Sequence, residues 1–221
     1  DQMSFSAERD LTMLAGDARG TIRVQVTSFK RLAWRILQET GGISRQELNG
    51  FGYRMLLKRV LEEHKDELKL FTKAADKRGF TEEMEQLLRE LSRYNVNGEK
   101  MASIQADFTQ LEAPRTLRDK VHDIQLIQAA VEARLGTTYV DSEGYLPLLQ
   151  QKLVSSQMIR EASIYIDGFK SFTTQEFNLV QELLATAKDV TIALSYESEF
   201  DADDEQALFY EPATTARRLK D

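Results

Sequence analysis

The residues best suited to bind a ligand are the aromatic and basic side chains that follow Ser28. Phe29 comes next in the chain, and Arg31 and Trp34 are three positions apart, so a helix would place them on one face. Aromatic rings beside guanidinium groups suit single-stranded nucleic acid, because bases stack on the rings and phosphates pair with the cations. The competing interpretation is that Trp34 is a core residue with Arg31 extended along the surface beside it.

A single carboxylate, Asp167, follows the apolar residues 164–166. Nucleoside triphosphatases place the carboxylate that holds magnesium at such a strand end, and hydrolytic ones usually have a second carboxylate directly after it. Here the next residue is Gly168. The chain also contains no Gly-x-x-x-x-Gly-Lys-Ser/Thr sequence to cradle phosphates. We therefore predict no catalytic residue and no ATP hydrolysis by these residues alone.

Composition excludes several kinds of site. The chain has no cysteine, which excludes disulfides, thiolate catalysis and ligation of zinc or iron–sulfur clusters by cysteine. Its two histidines, His64 and His122, lie far apart on helical patterns, so no metal site is predicted. No run of about 18 apolar residues and no signal peptide are present, so we predict no membrane contact and a cytoplasmic location. The missing initial Met suggests a piece of a longer protein, or a chain whose start is left out.

Charge is distributed unevenly along the chain. Residues 19–59 contain nine Lys or Arg residues and two acidic ones, a net charge of +7, within a chain whose total is −7. A basic patch on an acidic molecule can attract a phosphate backbone locally. The alternative is a solvated helix face without a ligand. After Glu197 comes an acidic segment, which we expect to be a mobile loop.

Periodicity predicts the elements that position these residues. Ile22, Val24 and Val26 alternate with polar residues, which predicts a strand, and Ser28 caps a helix that ends at Gly41. Residues 43–153 are predicted to be almost wholly helical. Residues 164–166 then predict a strand, a helix follows a cap at residues 173–174, and residues 190–196 predict a second strand. Such a strand–helix–strand unit is expected to be parallel and right-handed.

The order of these elements predicts an α/β protein. One arrangement is a parallel sheet with flanking helices, interrupted by a large helical insertion, in which residues 1–42 and 160–221 share one sheet. The competing arrangement is two separate domains. Periodicity alone leaves both open.

Several segments together resemble the AddB family, the B subunit of the bacterial AddAB/RexAB ATP-dependent helicase–deoxyribonuclease. The first five residues, DQMSF, are similar to the family's form of helicase motif Ia, and residues 22–42 resemble the next block almost throughout. Within that block, residues 27–29 stand where related helicases carry motif Ib. Residues 165–177, YIDGFKSFTTQEF, resemble an altered motif II in which Asp-Gly replaces Asp-Glu. Residues 73–80 and 139–149 also look familial.

The resemblance implies a superfamily 1-like helicase region that is catalytically incomplete. Residues 1–42 and 160–221 would form an α/β core like subdomain 1A, and residues 43–159 a helical insertion like subdomain 1B. The expected partners are single-stranded DNA and an AddA-type helicase–nuclease subunit, with no membrane partner. The expected role is double-strand-break repair by homologous recombination, including recognition of a recombination hotspot. No cofactor is expected in this segment, whereas ATP, magnesium and an iron–sulfur cluster would belong to the whole subunit.

The same resemblance suggests which residues contact DNA. It also identifies Asp167 and Gly168 as a degenerate motif II, without a catalytic or metal-binding role. The implied DNA contacts are Asp1, Gln2 and Ser4 in the first segment, Phe29, Arg31 and Trp34 in the second, and Phe169 in the third.

Two other functions remain open from the sequence. The acidic, largely helical residues 43–153 could be a protein–protein scaffold that docks on the partner subunit. The chain could also be a self-sufficient ATPase, although the missing phosphate cradle and Gly168 both speak against this.

Overall fold

The computed structural model describes residues 2–14, 24–41, 46–77, 79–135, 139–140 and 144–220. Short 3₁₀ turns over Lys65–Glu67 and Glu199–Asp203 accompany the regular elements. In chain order these elements are α1 (Gln2–Leu14), α2 (Phe29–Thr40), β1 (Gln46–Glu47), α3 (Gly50–Glu63), α4 (Phe80–Arg93), α5 (Gly98–Gln110), α6 (Arg115–Leu135), β2 (Tyr139–Val140), α7 (Tyr145–Leu153), α8 (Gln157–Glu161), β3 (Ser163–Ile166), α9 (Thr174–Thr186), β4 (Asp189–Ile192) and α10 (Tyr210–Lys220).

Helices dominate this structure, and the predicted α/β fold is wrong. Within the described residues, strands occur only as two separate two-stranded parallel sheets, β1–β2 and β3–β4. The predicted strand at residues 22–26 does not form over its described part, because residues 24–28 carry no regular secondary structure. Alternating side chains favour an extended backbone, but a strand also requires a neighbouring strand for its hydrogen bonds. No described segment supplies one there, so residues 24–41 share no sheet with β3 and β4.

The local strand–helix–strand unit near the C-terminal end is confirmed. β3 and β4 are parallel, with Ile164 opposite Val190 and Ile166 opposite Ile192. Thr173 caps α9: its hydroxyl accepts the Glu176 backbone N–H, and the Glu176 carboxylate accepts the Thr173 N–H at 2.9 Å. This reciprocal capping box satisfies two donors that a helix start leaves unpaired. The second strand is shorter than predicted, because pairing ends at Ile192 apart from one bond from the Ala193 N–H to the Ile166 carbonyl.

One hydrophobic core joins distant parts of the chain. It combines α2 with the region from α7 to α9, so residues 33–36 pack together with residues 149–183. Phe29, Leu32 and Tyr145 lie partly buried against its edge. The fully or nearly fully buried members are Ala33, Ile36, Leu149, Leu153, Ile159, Ile166, Phe172, Phe177, Leu179, Val180 and Leu183.

A second core lies inside the helical block formed by α3, α4 and α6. Its members come from residues 53–131, and a smaller cluster of Met101, Val121 and Ile124 joins α5 to α6. The strands β1 and β2, which precede α3 and follow α6, pair in parallel, so the two ends of the block lie side by side. The division of the chain at residues 42–43 and 159–160 into separate domains stays a prediction.

A buried carboxylate fixes the connection between α3 and α4. Asp123 on α6 is completely buried, and it accepts the backbone N–H groups of Lys69, Leu70 and Phe71 at 2.8–2.9 Å. Burial alone would raise the pKa of Asp123, but these backbone donors and His122 outweigh it and hold the pKa below its ordinary value. The ionised carboxylate therefore stabilises the folded chain.

We expect Asp123→Ala to lower the free energy of unfolding by about 2–4 kcal/mol, because three backbone donors lose their acceptor. The pKa of Asp123 is lower in the folded state, so its contribution is present above the unfolded pKa and is lost as pH falls through the folded value. Urea titrations followed by circular dichroism at neutral and acidic pH measure the free energy of unfolding. The difference in this free energy between variant and wild type should be smaller in acid.

The matched control is Asp119→Ala on the same helix, where the carboxylate pairs with the exposed Arg115 at 3.5 Å. Such a surface ion pair contributes at most about 1 kcal/mol. If Asp123→Ala and Asp119→Ala lowered the free energy of unfolding equally, the stabilising role assigned to the Asp123 carboxylate would be contradicted.

Candidate nucleic-acid interface

Helix α2 turns one face to the core and the opposite face to solvent. Ser28 caps it by accepting the Arg31 backbone N–H, and Ala33, Ile36 and Leu37 are buried. The residues between these positions therefore point outward, and the Trp34 side chain is 48% exposed. An exposed tryptophan means that the alternative of a core tryptophan is wrong. The outward face consists of Arg31, Trp34, Arg35 and Gln38, with Lys30 beside it.

The cations on this face are available to an external anion. Within the described part of the chain, neither Arg31 nor Arg35 forms an ion pair. Lys30 lies with its Nζ atom 5.6 Å from the centroid of the Tyr145 ring, so it also ties the start of α2 to α7. Two guanidinium groups next to an exposed indole form a small surface that suits stacked bases and phosphates.

Two of the other described cations of the basic segment are already paired with acidic side chains. Arg54 pairs with Glu85 at 3.7 Å, and Arg59 pairs with Glu63 at 2.8 Å, both within the helical block. These two cations are thus neutralised on the second core rather than gathered around α2. Three further members of the basic segment, Arg19, Arg23 and Arg45, lie outside the described residues. Of the described cations, Arg54 and Arg59 therefore do not add to the basic surface of α2.

Phe29 and Phe169 meet in an aromatic cluster. Their ring centroids are 5.3 Å apart, and the Phe169 ring lies 5.0 Å from that of the buried Phe172. The structure therefore brings together two segments that the sequence separates by 140 positions. Both rings are only partly exposed, so packing between α2 and the loop before α9 is their observed role. A DNA contact by either ring stays a prediction.

Glu39 near the end of α2 holds this helix in place. Its carboxylate accepts the Ser156 hydroxyl at 2.5 Å and the backbone N–H groups of Gln157 and Met158 at 2.9 and 3.1 Å. These donors belong to the start of α8, where unpaired N–H groups attract an anion. The Ser156 hydroxyl, followed by the Met158 N–H, lowers the pKa of Glu39. Sequence reasoning missed Glu39, because its partners lie 117 to 119 positions away.

Asp167 and Gly168 form a tight turn after β3. The exposed Asp167 carboxylate accepts the Gly168 N–H at 2.8 Å, and Gly168 has φ +83°. This left-handed conformation favours glycine at position 168, since a side chain would be strained there. Among the described residues, no group of three or more His, Cys, Asp or Glu side chains is placed to hold a metal ion.

The first predicted segment can be placed only in part. Gln2 and Ser4 lie on α1, with their side chains outside the described part of the structure, and Asp1 lies outside it altogether. Their grouping with α2 or with Phe169 therefore stays a prediction. In the part of the chain that the structure describes, no helix is long and apolar enough to cross a membrane.

Comparison with known proteins identifies the family. The family model described as "ADDB, N-terminal" matches residues 1–221. This chain belongs to the AddB family. The AddB resemblance carried by the DQMSF, 22–42 and YIDGFKSFTTQEF segments is thereby confirmed.

The AddB relatives are each named as the B subunit of an ATP-dependent helicase/deoxyribonuclease. The one from Lysinibacillus sphaericus is 53% identical over the whole of this chain, which covers 19% of that protein. The one from Bacillus subtilis is 42% identical over 90% of this chain and 18% of that protein. The one from Geobacillus kaustophilus is 41% identical over all of this chain and 19% of its own length. The chain thus spans about a fifth of the length of these AddB relatives.

We expect Gly168→Ala to lower the free energy of unfolding by about 1–2 kcal/mol, because a Cβ atom is strained at a positive φ. Chemical denaturation compares it with Gly50→Ala, whose added Cβ would lie 3.9 Å from a Glu85 carboxylate oxygen. Gly50 begins α3 without a positive φ, so this control should be neutral or slightly stabilising. Equal free energies of unfolding for Gly168→Ala and Gly50→Ala would contradict the requirement for glycine in this turn.

We expect Glu39→Gln to lower the melting temperature at neutral pH, because the start of α8 loses its anionic acceptor. The folded-state pKa of Glu39 lies below the ordinary value, so the stabilisation is present above the unfolded pKa and disappears as pH falls through the folded pKa. The melting temperatures of variant and wild type should therefore converge in acid. Glu62→Gln, an exposed glutamate of α3 without an ion pair among the described residues, is the control.

Proposed function

We propose that this chain acts in DNA repair as part of the B subunit of an ATP-dependent helicase/deoxyribonuclease, and that it binds single-stranded DNA through the outward face of α2. The names of relatives up to 53% identical support the first part. The exposed Trp34 beside Arg31 and Arg35 supports the second. In this proposal the chain is not itself a catalyst, and strand separation and DNA cleavage belong to the whole enzyme.

The single observation that carries the proposal is the exposure of Trp34 on a helix that is otherwise well buried on its other side. An exposed indole lacks the favourable free energy of burial, which a ligand that covers it would supply. A base stacked on it would recover this energy, while Arg31 and Arg35 reach the flanking phosphates. Stacking accepts every base, so this surface suits a strand of any sequence.

The aromatic cluster serves the same surface in a structural role. Phe169 and Phe172 follow β3, and Phe169 contacts Phe29 at the first residue of α2, so the loop before α9 sets where that helix starts. Glu39 fixes the other end of the helix through α8. With both ends held, Arg31 and Trp34 keep a constant spacing, which reduces the ordering cost when a strand binds. Gln2, Ser4 and Asp1 would extend the DNA path beyond α2.

The proposal includes a companion subunit of the AddA type and a role in double-strand-break repair by recombination. Recognition of a hotspot sequence would require base-edge contacts in addition to stacking, and Gln2 is the candidate for them. ATP and magnesium would act elsewhere in the enzyme, since this chain contains no Gly-x-x-x-x-Gly-Lys-Ser/Thr sequence to cradle phosphates. An iron–sulfur cluster would likewise need cysteines from outside this chain, which has none.

A second candidate function is docking of the helical block on the companion subunit. The observation in its favour is an exposed apolar pair on α3, Phe51 and Met55, which lie one helical turn apart and are 68% and 60% exposed. Two large apolar side chains on one outward face are typical of a protein contact. This function is compatible with DNA binding by α2, because the pair belongs to the helical block around the second core.

We expect single-stranded oligonucleotides to quench the fluorescence of Trp34, the only tryptophan, more strongly than duplexes of equal length. Trp34→Ala should weaken binding by about 1–3 kcal/mol through lost stacking. Arg31→Ala should weaken binding for all sequences and reduce the slope of log affinity against log salt by about 0.7. Fluorescence and anisotropy titrations at two or more salt concentrations measure these effects on the chain and on the whole subunit.

Lys58→Ala and Tyr94→Ala are the matched controls for charge and for an exposed aromatic ring, and both should leave affinity unchanged. Lys58 is exposed on α3 without a partner among the described residues, and Tyr94 is exposed after α4. Unchanged affinity in both Arg31→Ala and Trp34→Ala, measured in the whole subunit, would refute the α2 surface as the DNA site.

A further inference from the structure

The acidic segment after β4, which its composition predicts to be a mobile loop, contains a hydrogen-bonded 3₁₀ turn. Ser198 and Asp201 form a capping box around the 3₁₀ turn Glu199–Asp203, in which the Asp201 carboxylate accepts the Ser198 N–H at 3.1 Å. The Asp204 carboxylate then accepts the Gln206 N–H at 2.9 Å, and two further backbone bonds lead into α10. Its acidic side chains thus organise the backbone, which composition alone does not reveal.

Helix α10 holds this turn from the side. The Arg217 guanidinium pairs with Asp203 at 2.8 Å and donates to the Glu199 carbonyl at 3.2 Å, and Lys220 pairs with the Glu199 carboxylate. The helix is itself anchored to the first core, because Arg218 lies 4.1 Å from the Phe177 ring centroid. The turn is therefore connected to the same core as α2 through several independent contacts.

Two large apolar side chains project from this held segment into solvent. Phe200 is 81% exposed and Leu208 is 88% exposed. A flexible loop could turn such residues inward at little cost, whereas here the backbone is fixed and the side chains stay outside. Rigid, exposed aromatic and aliphatic anchors are the pattern of interface hot spots, because little conformational entropy is lost when they enter a pocket.

The acidic residues in the same segment as Phe200 and Leu208 indicate which kind of partner surface can bind these two side chains. Of the six carboxylates between residues 197 and 205, Glu199 and Asp203 are neutralised by α10, and Asp201 caps the turn. Glu197, Asp204 and Glu205 are exposed and form no ion pair with any residue that the structure describes. Three uncompensated acids repel a phosphate backbone, so DNA is excluded as the occupant, and a surface with Lys or Arg residues is favoured.

We propose that Phe200 and Leu208 dock into an apolar pocket with a Lys/Arg rim on the companion subunit. This assignment rests on the proposed function, because the companion enters through the naming of the relatives as one subunit of an enzyme. The proposal places the contact with the companion on the first core. This core then carries two surfaces of opposite charge: the basic face of α2 for DNA, and the acidic surface around Phe200 and Leu208 for protein. The helical block is then not needed for docking.

The test uses the whole subunit and its purified companion, with association measured by a label on the companion. Phe200→Ala and Leu208→Ala should each weaken association by about tenfold or more. Glu205→Lys should also weaken it, and raised salt should weaken the wild type more than this variant. Circular dichroism confirms that the exposed substitutions leave the fold intact, and Leu111→Ala, another exposed leucine, is the matched control.

Other results would overturn the proposal. One is unchanged association in both Phe200→Ala and Leu208→Ala, and another is a complete lack of association by the wild type. Weaker association from Phe51→Ala alone would assign docking to α3 instead. Self-association of the subunit that Phe200→Ala abolishes would identify a second copy as the occupant.

The same preparations separate this proposal from the proposed function. Single-strand affinity is measured in parallel for every variant. Phe200→Ala should lower companion affinity and leave DNA affinity unchanged, and Arg31→Ala should do the reverse. If Arg31→Ala left DNA affinity unchanged while Phe200→Ala still lowered companion affinity, the α2 surface would be refuted as the DNA site. The proposed contact of Phe200 and Leu208 with the companion would not be affected.

Discussion

The structure depends on the closure of one hydrophobic core by two distant parts of the chain. Ala33 and Ile36 of α2 pack against Leu149 and Leu153 of α7, and the helical block lies between these segments in the sequence. Burial of apolar surface supplies the free energy, since each large side chain contributes about 1.5–3 kcal/mol. The Glu39 carboxylate fixes the position of α2 relative to α8, because its oxygens accept the N–H groups at the start of α8. Without this closure neither candidate surface would have a fixed position.

Closure of this core explains how residues that are far apart in the chain come into contact. It brings Phe29 at the start of α2 onto Phe169 in the loop after β3, and it leaves Trp34 on the outward side of the same helix. The glycine conformation at Gly168 lets the loop turn sharply enough for Phe169 to reach this position. The segment that resembles motif II therefore works in this structure as a packing element.

Ion pairing differs between the charged surfaces of the molecule. Arg31 and Arg35 stay unpaired among the described residues, whereas Arg54 and Arg59 are neutralised within the helical block. On the same core as α2, α10 compensates part of the acidic segment and leaves the remainder exposed beside Phe200. Inside the helical block, the Asp123 carboxylate accepts three backbone donors, which is a stabilising rather than a binding role. Burial and pairing, rather than charge count, decide which ionic groups remain for a ligand.

Short-range signals in the amino-acid sequence were enough to predict the family and the local elements. Ser28 and Thr173 predicted their helix starts, and Gly168 marked a departure from the helicase motif. Residues 164–166 and 190–196 predicted strands, of which the second forms only as far as Ile192. These features depend on interactions within a few residues, or on motifs read directly from the chain. The α/β fold predicted from the same pattern was wrong, because alternation at residues 24–26 cannot show whether a partner strand exists.

Long-range packing settled the features that no local pattern could show. Trp34 is exposed, Glu39 caps α8, Arg54 pairs with Glu85 in the helical block, and α10 holds the acidic segment. Each of these depends on groups far away in the chain. Their approach is set by how the whole core packs, because a side chain's exposure and ionic partners exist only once distant elements have met.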